Sequence, residues 1–359
     1  MNIPKTMHAL VAYGKGDYRY EERYPVPVPG KDEYLIKVEA CGICASDMKC
    51  YHGAAMFWGD ELQPGCITTP VVPGHEFIGE IVAVGEGTEN RSFVVGDRVA
   101  SDQIVPCWDC KFCKSGRYWM CQKHDIFGFQ PNVSGGMAEY MLLPKGALLY
   151  HVPKDIPIEK AVLVEPYACS KHAVDRANIG NEDIVLVSGA GTLGLGMIGC
   201  AKMRNPKKLI SLDLNPDRLA LAKQFGADLA LNPAKDPVKQ IILDLTDGYG
   251  CDIYIEATGH PSSVVQGLDL IRRLGTFVEF SVFGAETSVD WSIIGDRKEL
   301  DLLGSHLGPY CYPAVIEWIG SGKLPTEGVV THRLPLQEYM RGFALAANGN
   351  QAIKVVLEP

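Results

Sequence analysis

Residues 184–201 read IVLVSGAGTLGLGMIGCA, an apolar run followed by a glycine-rich turn and a second apolar stretch with helical spacing. Gly189, Gly191 and Gly194 have different roles in such a turn. The first permits a tight bend, the second lets the backbone approach a pyrophosphate, and the third allows the helix to pack closely on the strand. The free N–H groups at the helix N-terminus would face the phosphates. The stretch therefore predicts a strand–turn–helix unit that binds a dinucleotide.

A carboxylate follows this turn at a suitable distance. Asp213 ends the next predicted strand, nineteen residues after Gly194, where it would bind the ribose hydroxyls of the adenosine half. The same charge would repel a 2′-phosphate, so the sequence favours NAD over NADP. A simple turn cap before Asn215 is the alternative role for Asp213. Arg218 either lies near the adenine end or is a solvated helix residue.

The regular alternation of elements around the glycine turn predicts the fold class. From Asp183 onward, buried apolar strands alternate with helical stretches, which indicates a doubly wound parallel sheet. Before about residue 160, short alternating runs are separated by turn clusters, which indicates antiparallel strands. A chain of 359 residues also exceeds the usual size of one core. We predict an α/β chain with a β-rich domain at 1–161, a parallel-sheet domain at 162–306 and a terminal segment at 307–359.

Composition excludes several classes of partner. The formal net charge is −9, and no run of Lys or Arg offers a basic face for nucleic acid. The N-terminus lacks an apolar run of signal-peptide length, and nowhere do eighteen apolar residues follow one another. We therefore expect a soluble, cytoplasmic protein without nucleic-acid or membrane partners.

Four cysteines form one compact motif, CWDCKFCKSGRYWMC at residues 107–121. Two-residue gaps let a tight loop present its sulfurs to one ion, and four sulfurs leave no coordination position open. The motif predicts a structural zinc site, with an iron–sulfur cluster as the minor alternative. Two disulfides are disfavoured, because the seven other cysteines outside the candidate metal sites lie scattered in apolar stretches, as buried thiols do in a reducing compartment. The predicted ligands are Cys107, Cys110, Cys113 and Cys121.

A second set of residues offers mixed ligands. Cys44 lies in CGICASD, His75 and Glu76 lie in PGHEFIGE, and Glu165 lies in VEPYACSKHAV. One thiolate, one imidazole and one or two carboxylates suit a zinc ion that keeps a position for water or substrate. Each residue alone also fits a buried thiol or a surface pair. Together they predict a catalytic zinc site.

The ordered motifs GICASD, GHE, C-x2-C-x2-C-x7-C, EP and GAGTLG resemble those of the zinc-dependent medium-chain dehydrogenase/reductase superfamily from end to end. The pairs His75-Glu76 and Glu165-Pro166 are similar to those of its polyol and threonine dehydrogenase branch. Residues 48–60, MKCYHGAAMFWGD, look most like the corresponding stretch of erythritol/L-threitol dehydrogenases.

This resemblance implies a GroES-like catalytic domain, to which the C-terminal segment returns, with an inserted Rossmann domain and an active site in the cleft. It implies Cys44, His75 and Glu76 as ligands of the catalytic zinc, and Glu165 as a fourth ligand or as the residue that holds the zinc-bound water. It also implies a homo-oligomer, a tetramer before a dimer. Further positions that match cofactor contacts of the superfamily are Leu193, Phe280, Ser281 and Val282.

The implied reaction transfers hydride from a secondary alcohol of a small polyol to NAD and gives a ketose. Zinc lowers the pKa of a bound alcohol, and Ser46 is placed to take the proton. Many relatives continue this relay with a histidine five residues after the cysteine ligand. That position is Lys49 here, so His52 is the alternative relay residue.

The substrate is less constrained than the reaction. Erythritol or L-threitol leads, followed by sorbitol, xylitol, butanediol and threonine. The segment between Cys44 and His75 is long and contains four large side chains, which would form either a lid over a compact substrate or a contact with another subunit. A non-catalytic NAD- and zinc-binding protein of the same fold would lack one of the catalytic zinc ligands. A zinc-free quinone or enoyl reductase would lack both the four-cysteine loop and the His75-Glu76 pair. All of these residues are present. The large side chains are Tyr51, Met56, Phe57 and Trp58.

Overall fold

The chain divides into two structural units in a computed structural model that describes residues 3–88, 92–349 and 351–359. The first unit comprises Met1–Glu165 and Tyr312–Pro359, and the second comprises Pro166–Cys311. The predicted divisions after residues 161 and 306 lie a few residues earlier. In the described part of the chain, no helix is long and apolar enough to cross a membrane.

The first unit is built on β-strands with short helices between them. Its alternating runs, such as YLIKVEACG at 34–42, put apolar side chains into a core shared by several strands. Up to the unit boundary the elements are β1 (Thr6–Gly14), β2 (Asp17–Pro25), β3 (Tyr34–Gly42), α1 (Ala45–Tyr51), α2 (Ala55–Trp58), β4 (Glu76–Val84), β5 (Arg98–Ser101), β6 (Ile104–Val105), α3 (Lys111–Lys114), β7 (Asp125–Ile126), β8 (Tyr140–Leu143), β9 (Leu149–His151), α4 (Ile158–Ala161) and α5 (Val164–Ala177), which crosses the boundary.

The second unit is a six-stranded parallel sheet in the order β12-β11-β10-β13-β14-β15. Its first strand, IVLVS, is buried along its whole length, as expected when helices cover both faces of a sheet. The fold class predicted from the alternation of strands and helices is confirmed. The elements are β10 (Ile184–Ser188), α6 (Thr192–Lys202), β11 (Lys208–Leu212), α7 (Pro216–Gln224), β12 (Leu229–Leu231), α8 (Val238–Leu245), β13 (Cys251–Glu256), α9 (Pro261–Leu270), β14 (Ile271–Glu279) and β15 (Asp301–Gly304).

The C-terminal segment completes the sheet of the first unit. That sheet has the order β16-β17-β3-β4-β5-β9, with β8 also paired to β3. The pairing of the last strand with β3 is antiparallel and places Val356 opposite Gly42. The pair β16 and β17 is parallel, whereas the strands before residue 160 pair with one another in antiparallel fashion, as the sequence predicted for that segment. The elements are α10 (Tyr312–Gly320), β16 (Val330–Pro335), α11 (Tyr339–Ala347) and β17 (Lys354–Glu358).

Candidate catalytic site, cysteine loop and dinucleotide-binding turn

Cys44 lies where β3 ends and α1 begins. It is the N-cap residue of α1, and its backbone N–H donates to Asp47 Oδ2 at 2.8 Å. This arrangement fixes the helix start. Ser46 lies in the first turn of the helix, and its side chain is hydrogen-bonded to that of Cys44. The hydroxyl predicted to take the proton is therefore next to the predicted sulfur ligand.

His75 and Glu76 reach the same place from β4, where Glu76 is the first residue of the strand and pairs with Gly42. A sulfur, a ring nitrogen and a carboxylate oxygen from Cys44, His75 and Glu76 all lie within 4.8 Å of one another. This donor set fits a zinc ion with one position left for another ligand. The structure thus brings together three of the four residues predicted for the catalytic site.

Burial shapes the electrostatics of this group. Desolvation raises the pKa of the Cys44 thiol to about 12, with a further contribution from the Glu76 carboxylate. Desolvation likewise raises the pKa of Asp47, whose Oδ1 lies 3.8 Å from His75 Nδ1. The two groups are too far apart for a hydrogen bond, so the carboxylate acts on the imidazole through its charge. A cation bound among these groups would favour the thiolate form of Cys44.

Lys354 contacts the candidate metal ligand Glu76, which the sequence did not predict. Its ammonium group lies 2.8 and 2.5 Å from the two carboxylate oxygens of Glu76 and 3.0 Å from the Ile43 carbonyl oxygen. Burial alone would lower the pKa of Lys354, but Glu76, Cys44 and the more distant Glu165 hold that pKa above its usual value. No motif marks this lysine, which stands in an ordinary terminal strand.

Glu165 lies outside the group of three ligands. It is buried in the first turn of α5, and its Oε1 accepts a short hydrogen bond from Gln103 Nε2. Its charge also contributes to the pKa of Lys354, so it acts on the same site. These contacts are compatible with both roles predicted for Glu165, a fourth ligand or the residue that holds the zinc-bound water. The role itself stays a prediction.

An aromatic stack lies beside the candidate metal ligands. The ring of Phe57 is nearly parallel to that of Phe129, with centroids 5.2 Å apart, and Phe129 stacks in turn on His75 at 6.0 Å. Trp58 donates its indole N–H to the Cys50 carbonyl at 2.7 Å, and Met56 is exposed. In the segment between Cys44 and His75, Phe57 is therefore buried next to the candidate ligands, whereas Met56 is exposed.

The possible relay residues differ in exposure. His52 is the C-cap residue that follows α1; it is exposed and makes an edge-to-face contact with Tyr51 at 5.3 Å between ring centroids. Lys49 is half-buried in the last turn of the same helix. A relay through His52 stays a prediction.

The four cysteines of the loop converge as predicted from their spacing. One sulfur from each lies within 4.8 Å of the others. The Sγ–Sγ distances are 4.0 Å between Cys107 and Cys113 and 3.5 Å between Cys110 and Cys113. A tetrahedron with zinc–sulfur bonds of about 2.3 Å has edges of about 3.8 Å. The geometry therefore fits four thiolates around one zinc ion and is far from that of a disulfide.

Backbone hydrogen bonds to these sulfurs favour the thiolate form, which is the form that binds a metal. The N–H groups of Cys107, Cys110 and Gln122 donate to sulfurs of the motif at 3.3 to 3.4 Å. The bond from Gln122 is the main cause that lowers the pKa of Cys110 to about 6. Of the other cysteines, six are buried as predicted. Cys66 is exposed, so its predicted burial is wrong; it follows the short helix α2 in a loop at the surface.

The loop is anchored to the sheet by a buried hydrogen bond. Tyr118, within the motif, donates its hydroxyl to Asp102 Oδ2 at 2.8 Å, and both residues are almost fully buried. Burial raises the pKa of Asp102 to about 6, although the Tyr118 hydrogen bond opposes that change. Asp102, which holds the cysteine loop through Tyr118, is followed directly by Gln103, which donates to Glu165.

The glycine turn of the second unit has the predicted geometry. Gly189 has a φ of 103°, which favours glycine. A Cβ at Gly194 would lie 1.9 Å from the Gly189 carbonyl oxygen, so the start of α6 approaches the turn too closely for any side chain. Gly191 caps the N-terminus of α6, and among the described residues only Arg218 Nη1 comes within 4 Å of its Cβ position, at 3.8 Å. The turn leaves room for a phosphate beside an N-terminal helix end.

Asp213 and Arg218 both border this turn. Asp213 Oδ2 accepts from the Ala190 N–H and Oδ1 from the Asn215 N–H, each at 2.8 Å. Asp213 thus positions the glycine turn and caps the next turn as well, and carboxylate oxygens keep lone pairs for further donors. Asn215 caps the N-terminus of α7, and Arg218 is the third residue of that helix. The two residues flank the place where a dinucleotide is expected.

The remaining predicted cofactor positions lie at a strand end and a helix start. Leu193 is in the first turn of α6, and its carbonyl accepts from Ser170 Oγ at 2.9 Å. Phe280, Ser281 and Val282 follow the last residue of β14, and the Phe280 N–H donates to the Glu256 carbonyl at 3.4 Å. Ligands of open parallel sheets bind beyond such carboxyl ends.

Glu279 forms an additional acidic feature at this sheet edge. It lies opposite Glu256 in the register of β13 and β14. Burial, reinforced by the charge of Glu256, raises the pKa of Glu279 to about 7.

Comparison with known families agrees with this combination of sites. Residues 30–154 match the alcohol dehydrogenase GroES-like domain, and residues 192–321 match the zinc-binding dehydrogenase family. The chain belongs to the zinc-dependent medium-chain dehydrogenases/reductases, and it is an alcohol dehydrogenase of the polyol branch.

Individual relatives make the match more specific. The chain is 54% identical to the erythritol/L-threitol dehydrogenase of Mycolicibacterium smegmatis, with 99% of each sequence covered. It is 33% identical to the sorbitol dehydrogenase of Halalkalibacterium halodurans, with 98% of this chain and 99% of that one covered.

Solved structures with the same fold include an Escherichia coli alcohol dehydrogenase in complex with NADH, with a TM-score of 0.86 at 30% identity and coverage of 99% of this chain and 100% of that one. They also include 2R,3R-butanediol dehydrogenase from Bacillus subtilis, with a TM-score of 0.85 at 28% identity and the same coverage. The resemblance inferred from the motifs is confirmed.

Proposed function

We propose that this chain oxidises a secondary alcohol of erythritol or L-threitol to the ketose, with NAD as hydride acceptor and two zinc ions per chain. The observation that carries the proposal is the convergence of Cys44, His75 and Glu76 on one point. The full-length similarity to an erythritol/L-threitol dehydrogenase supports the substrate class. Sorbitol, xylitol, butanediol and L-threonine are the alternative substrates.

The side chains around the site have separate tasks. Cys44, His75 and Glu76 would hold a zinc ion, which acts as a Lewis acid toward the substrate hydroxyl when bound. Ser46, hydrogen-bonded to Cys44, would accept the hydroxyl proton and pass it toward solvent. Glu165 would hold a polar group of the substrate or a water molecule beside the metal. The cysteine loop would bind the second zinc and keep the neighbouring strands in place.

The glycine turn would bind the cofactor. Its helix N-terminus would take the pyrophosphate, and Asp213 would accept from the ribose hydroxyls. A carboxylate at this position disfavours a 2′-phosphate, which supports NAD rather than NADP. The nicotinamide end would extend to the strand end at Phe280, Ser281 and Val282.

The aromatic stack supports a compact substrate. Phe57 and Phe129 present flat apolar surfaces next to His75, which suit the C–H faces of a short polyol. The inward position of Phe57 favours the lid alternative over the subunit contact for this residue. Because Met56 is exposed, a contact with another subunit remains the alternative for that residue.

Assembly and location extend the proposal. The outer strand β15 carries exposed residues along most of its length, including Leu302, and among the described strands it pairs with β14 alone. An apolar edge of this kind supports a homo-oligomer, which we propose to be a tetramer. Twelve free cysteines support a reducing compartment, the cytoplasm.

The first test measures NAD reduction by the purified enzyme with a panel of four- to six-carbon polyols, L-threonine and simple alcohols. We expect the highest kcat/KM with a four-carbon polyol and at least about tenfold lower values with simple alcohols, the effect of one or two lost hydrogen bonds. A simple alcohol that matches the best polyol would contradict the polyol assignment.

The second test counts zinc. We expect two zinc ions per chain in the wild-type enzyme and one in Cys44→Ser, together with loss of turnover. Cys66→Ser, which changes an exposed cysteine outside both sites, is the matched control and should keep both ions and full activity. Prolonged treatment with a chelator should abolish turnover before the protein unfolds, because the open site loses its ion more readily.

A further inference from the structure

Two carboxyl groups lie side by side at the carboxyl end of the parallel sheet. Glu256 is the last residue of β13, Glu279 is the last residue of β14, and the register places them opposite each other. Two residues earlier, Tyr254 and Phe277 are also opposite, and their rings stack with centroids 5.2 Å apart. Side chains two residues apart share one face of a sheet. Both carboxyl groups therefore project from the face on which the two rings stack.

Hydrogen bonds compensate the two carboxyl groups unequally. Glu256 is fully buried, and its Oε1 accepts from the Thr258 N–H at 2.8 Å and from the Gly259 N–H at 3.2 Å. For Glu279, the backbone N–H of Ser281 donates to the carboxyl group, whereas Oε1 is buried and has no hydrogen-bond partner among the described residues. Donors thus stabilise a charge on Glu256, and Glu279 keeps one buried acceptor oxygen unsatisfied.

In the described part of the chain, the neighbouring strands bring no positive charge to Glu279. On β15, Gly304 stands opposite Glu279, and Asp301, itself an acid, is three positions earlier. On β13 the opposite residue is Glu256. Burial, reinforced by the charge of Glu256, raises the pKa of Glu279 to about 7. The carboxyl group is therefore partly ionised at neutral pH.

Helix α9, which packs on both strands, supplies no cation to Glu279 among the residues described. The charged side chain of this helix, Asp269, is an acid in its last turn. His260 caps the N-terminus, is exposed, and bonds through its ring to Ser262 Oγ at 2.7 Å. Burial and a like charge both oppose ionisation, so an acid at position 279 costs stability. A role in the fold therefore does not account for Glu279.

The place of Glu279 in the chain relates it to the cofactor. Residues 280–282, the segment proposed for the nicotinamide end, follow it directly, and the Ser281 N–H ties the carboxyl group to that segment. Ligands of open parallel sheets bind beyond the carboxyl ends of the strands. The oxidised nicotinamide ring is a cation, and the reduced ring is neutral. A carboxylate close to this ring acts on the charge of one form of the cofactor only.

We propose that Glu279 is a specificity-determining residue whose negative charge strengthens the binding of NAD⁺ relative to NADH. The inference rests on the proposed function, in which the nicotinamide end of the cofactor reaches residues 280–282. The cationic ring supplies the positive charge that the surrounding strands and helix lack, and so offsets the cost of ionising Glu279. By linkage, NAD⁺ favours the ionised carboxylate by the same factor as the carboxylate favours NAD⁺.

The experiment measures the Kd of NAD⁺ and the Kd of NADH for zinc-loaded enzyme without substrate, by fluorescence titration at pH 8. Glu279→Gln keeps the size of the side chain and removes its charge. We expect the ratio of the Kd of NAD⁺ to the Kd of NADH to rise about fivefold, the effect of one lost and partly screened charge pair. An unchanged ratio, including an equal rise of both Kd values, would overturn the proposal, because a purely structural role would weaken both forms alike.

Glu182→Gln is the matched control. It removes one exposed negative charge from the same structural unit, just before β10 and at the opposite end of the sheet. It should change the ratio by less than about twofold, because salt screens an exposed and distant charge. A change as large as that in Glu279→Gln would show an effect of net charge and would overturn the proposal.

A pH series separates the charge of Glu279 from its shape. In the wild-type enzyme the ratio should fall as the pH rises through about 7, because Glu279 ionises over that range and only its ionised form attracts the cationic ring. Glu279→Gln should lose this part of the pH dependence. The same pH dependence of the ratio in both proteins would overturn the proposal.

A second variant keeps the test open if Glu279→Gln folds poorly. Glu279→Asp retains a negative charge on a shorter side chain. It should keep the ratio within about threefold of wild type and should keep the fall of the ratio with pH, since the charge remains near the ring. Loss of that pH dependence in Glu279→Asp would overturn the proposal.

The cofactor assignment is tested by the same titrations. If the wild-type enzyme binds neither NAD⁺ nor NADH at millimolar concentration, the proposed function fails, and the role of Glu279 fails with it. If both forms bind and their ratio is indifferent to the charge at position 279, only the inference about Glu279 fails.

Discussion

Tyr118→Phe tests whether the cysteine loop depends on its buried anchor. The change removes one hydroxyl, which donates to Asp102 Oδ2 at 2.8 Å, and leaves the ring in place. Asp102 is fully buried, so no water replaces the lost donor. A hydrogen bond to a charged group contributes about 1.5–3 kcal/mol, and a bond between neutral groups about 0.5–1.5 kcal/mol. We therefore expect a loss of about 2 kcal/mol in the free energy of unfolding at pH 8.

The pH dependence of this loss follows from Asp102. Burial raises its folded-state pKa to about 6, above the ordinary value of 3.8, so ionisation destabilises the fold as pH rises from about 4 through 6. The Tyr118 hydrogen bond favours the charged form and limits that cost. Without it the pKa should rise further. The loss in Tyr118→Phe should accordingly be about 1 kcal/mol larger at pH 8 than at pH 5.5, where much of Asp102 is protonated.

Equilibrium urea unfolding at both pH values, with zinc present throughout, measures these differences. Tyr13→Phe is the matched control, because Tyr13 is 39% exposed and its hydroxyl donates to Glu21 at the surface. It should change the free energy of unfolding by less than about 0.5 kcal/mol. A Tyr118→Phe loss that equals the control, or that is larger at pH 5.5 than at pH 8, would refute the reasoning.

Three further changes address the cofactor, the sheet edge and the proton relay. Asp213→Ala should raise the Kd for NAD by about 10- to 100-fold, since a charged acceptor and the support of the Ala190 N–H are lost; a Kd within twofold of wild type in a fluorescence titration would contradict the role of Asp213. Glu279→Gln should stabilise the protein by about 1 kcal/mol at pH 8 but not at pH 5, because the raised pKa of Glu279 makes its ionisation unfavourable between about 4.5 and 7; equal effects in urea unfolding at the two values would argue against it. His52→Gln should lower turnover mainly below neutral pH, where hydroxide is scarce and a relay matters most; an unchanged pH–rate profile would remove His52 from the mechanism.

The sequence predicts the features that depend on neighbouring residues. The cysteine loop and the glycine turn each lie within a short segment, so spacing alone specifies their local geometry. The agreement at Gly194 illustrates this, because the close approach to Gly189 is fixed within one strand–turn–helix unit. The ligands of the catalytic zinc are harder to predict from sequence, because Cys44 and His75 belong to different parts of the chain. Their prediction depended on a family resemblance as well as on chemistry.

Features that depend on sheet pairing escaped the sequence interpretation. Lys354 is 278 residues from Glu76 in the chain, and only the register of three strands brings them together. The contact of Tyr118 with Asp102 also escaped, because it depends on how the cysteine loop folds back on the end of β5, which the spacing of the cysteines leaves undetermined. Periodicity identifies a strand but leaves its neighbours undetermined. The exposure of Cys66 was missed because a loop flanked by apolar residues looks like a core segment.

The long separation of Glu76 and Lys354 in the sequence has a consequence for biosynthesis. The ribosome makes Glu76 of β4 278 residues before it makes Lys354, so the carboxylate exists for some time without its ammonium partner. The cysteine loop, in contrast, is complete after about one third of the chain has been made. All four sulfurs of the cysteine loop are thus made before the strand that brings Lys354 to Glu76.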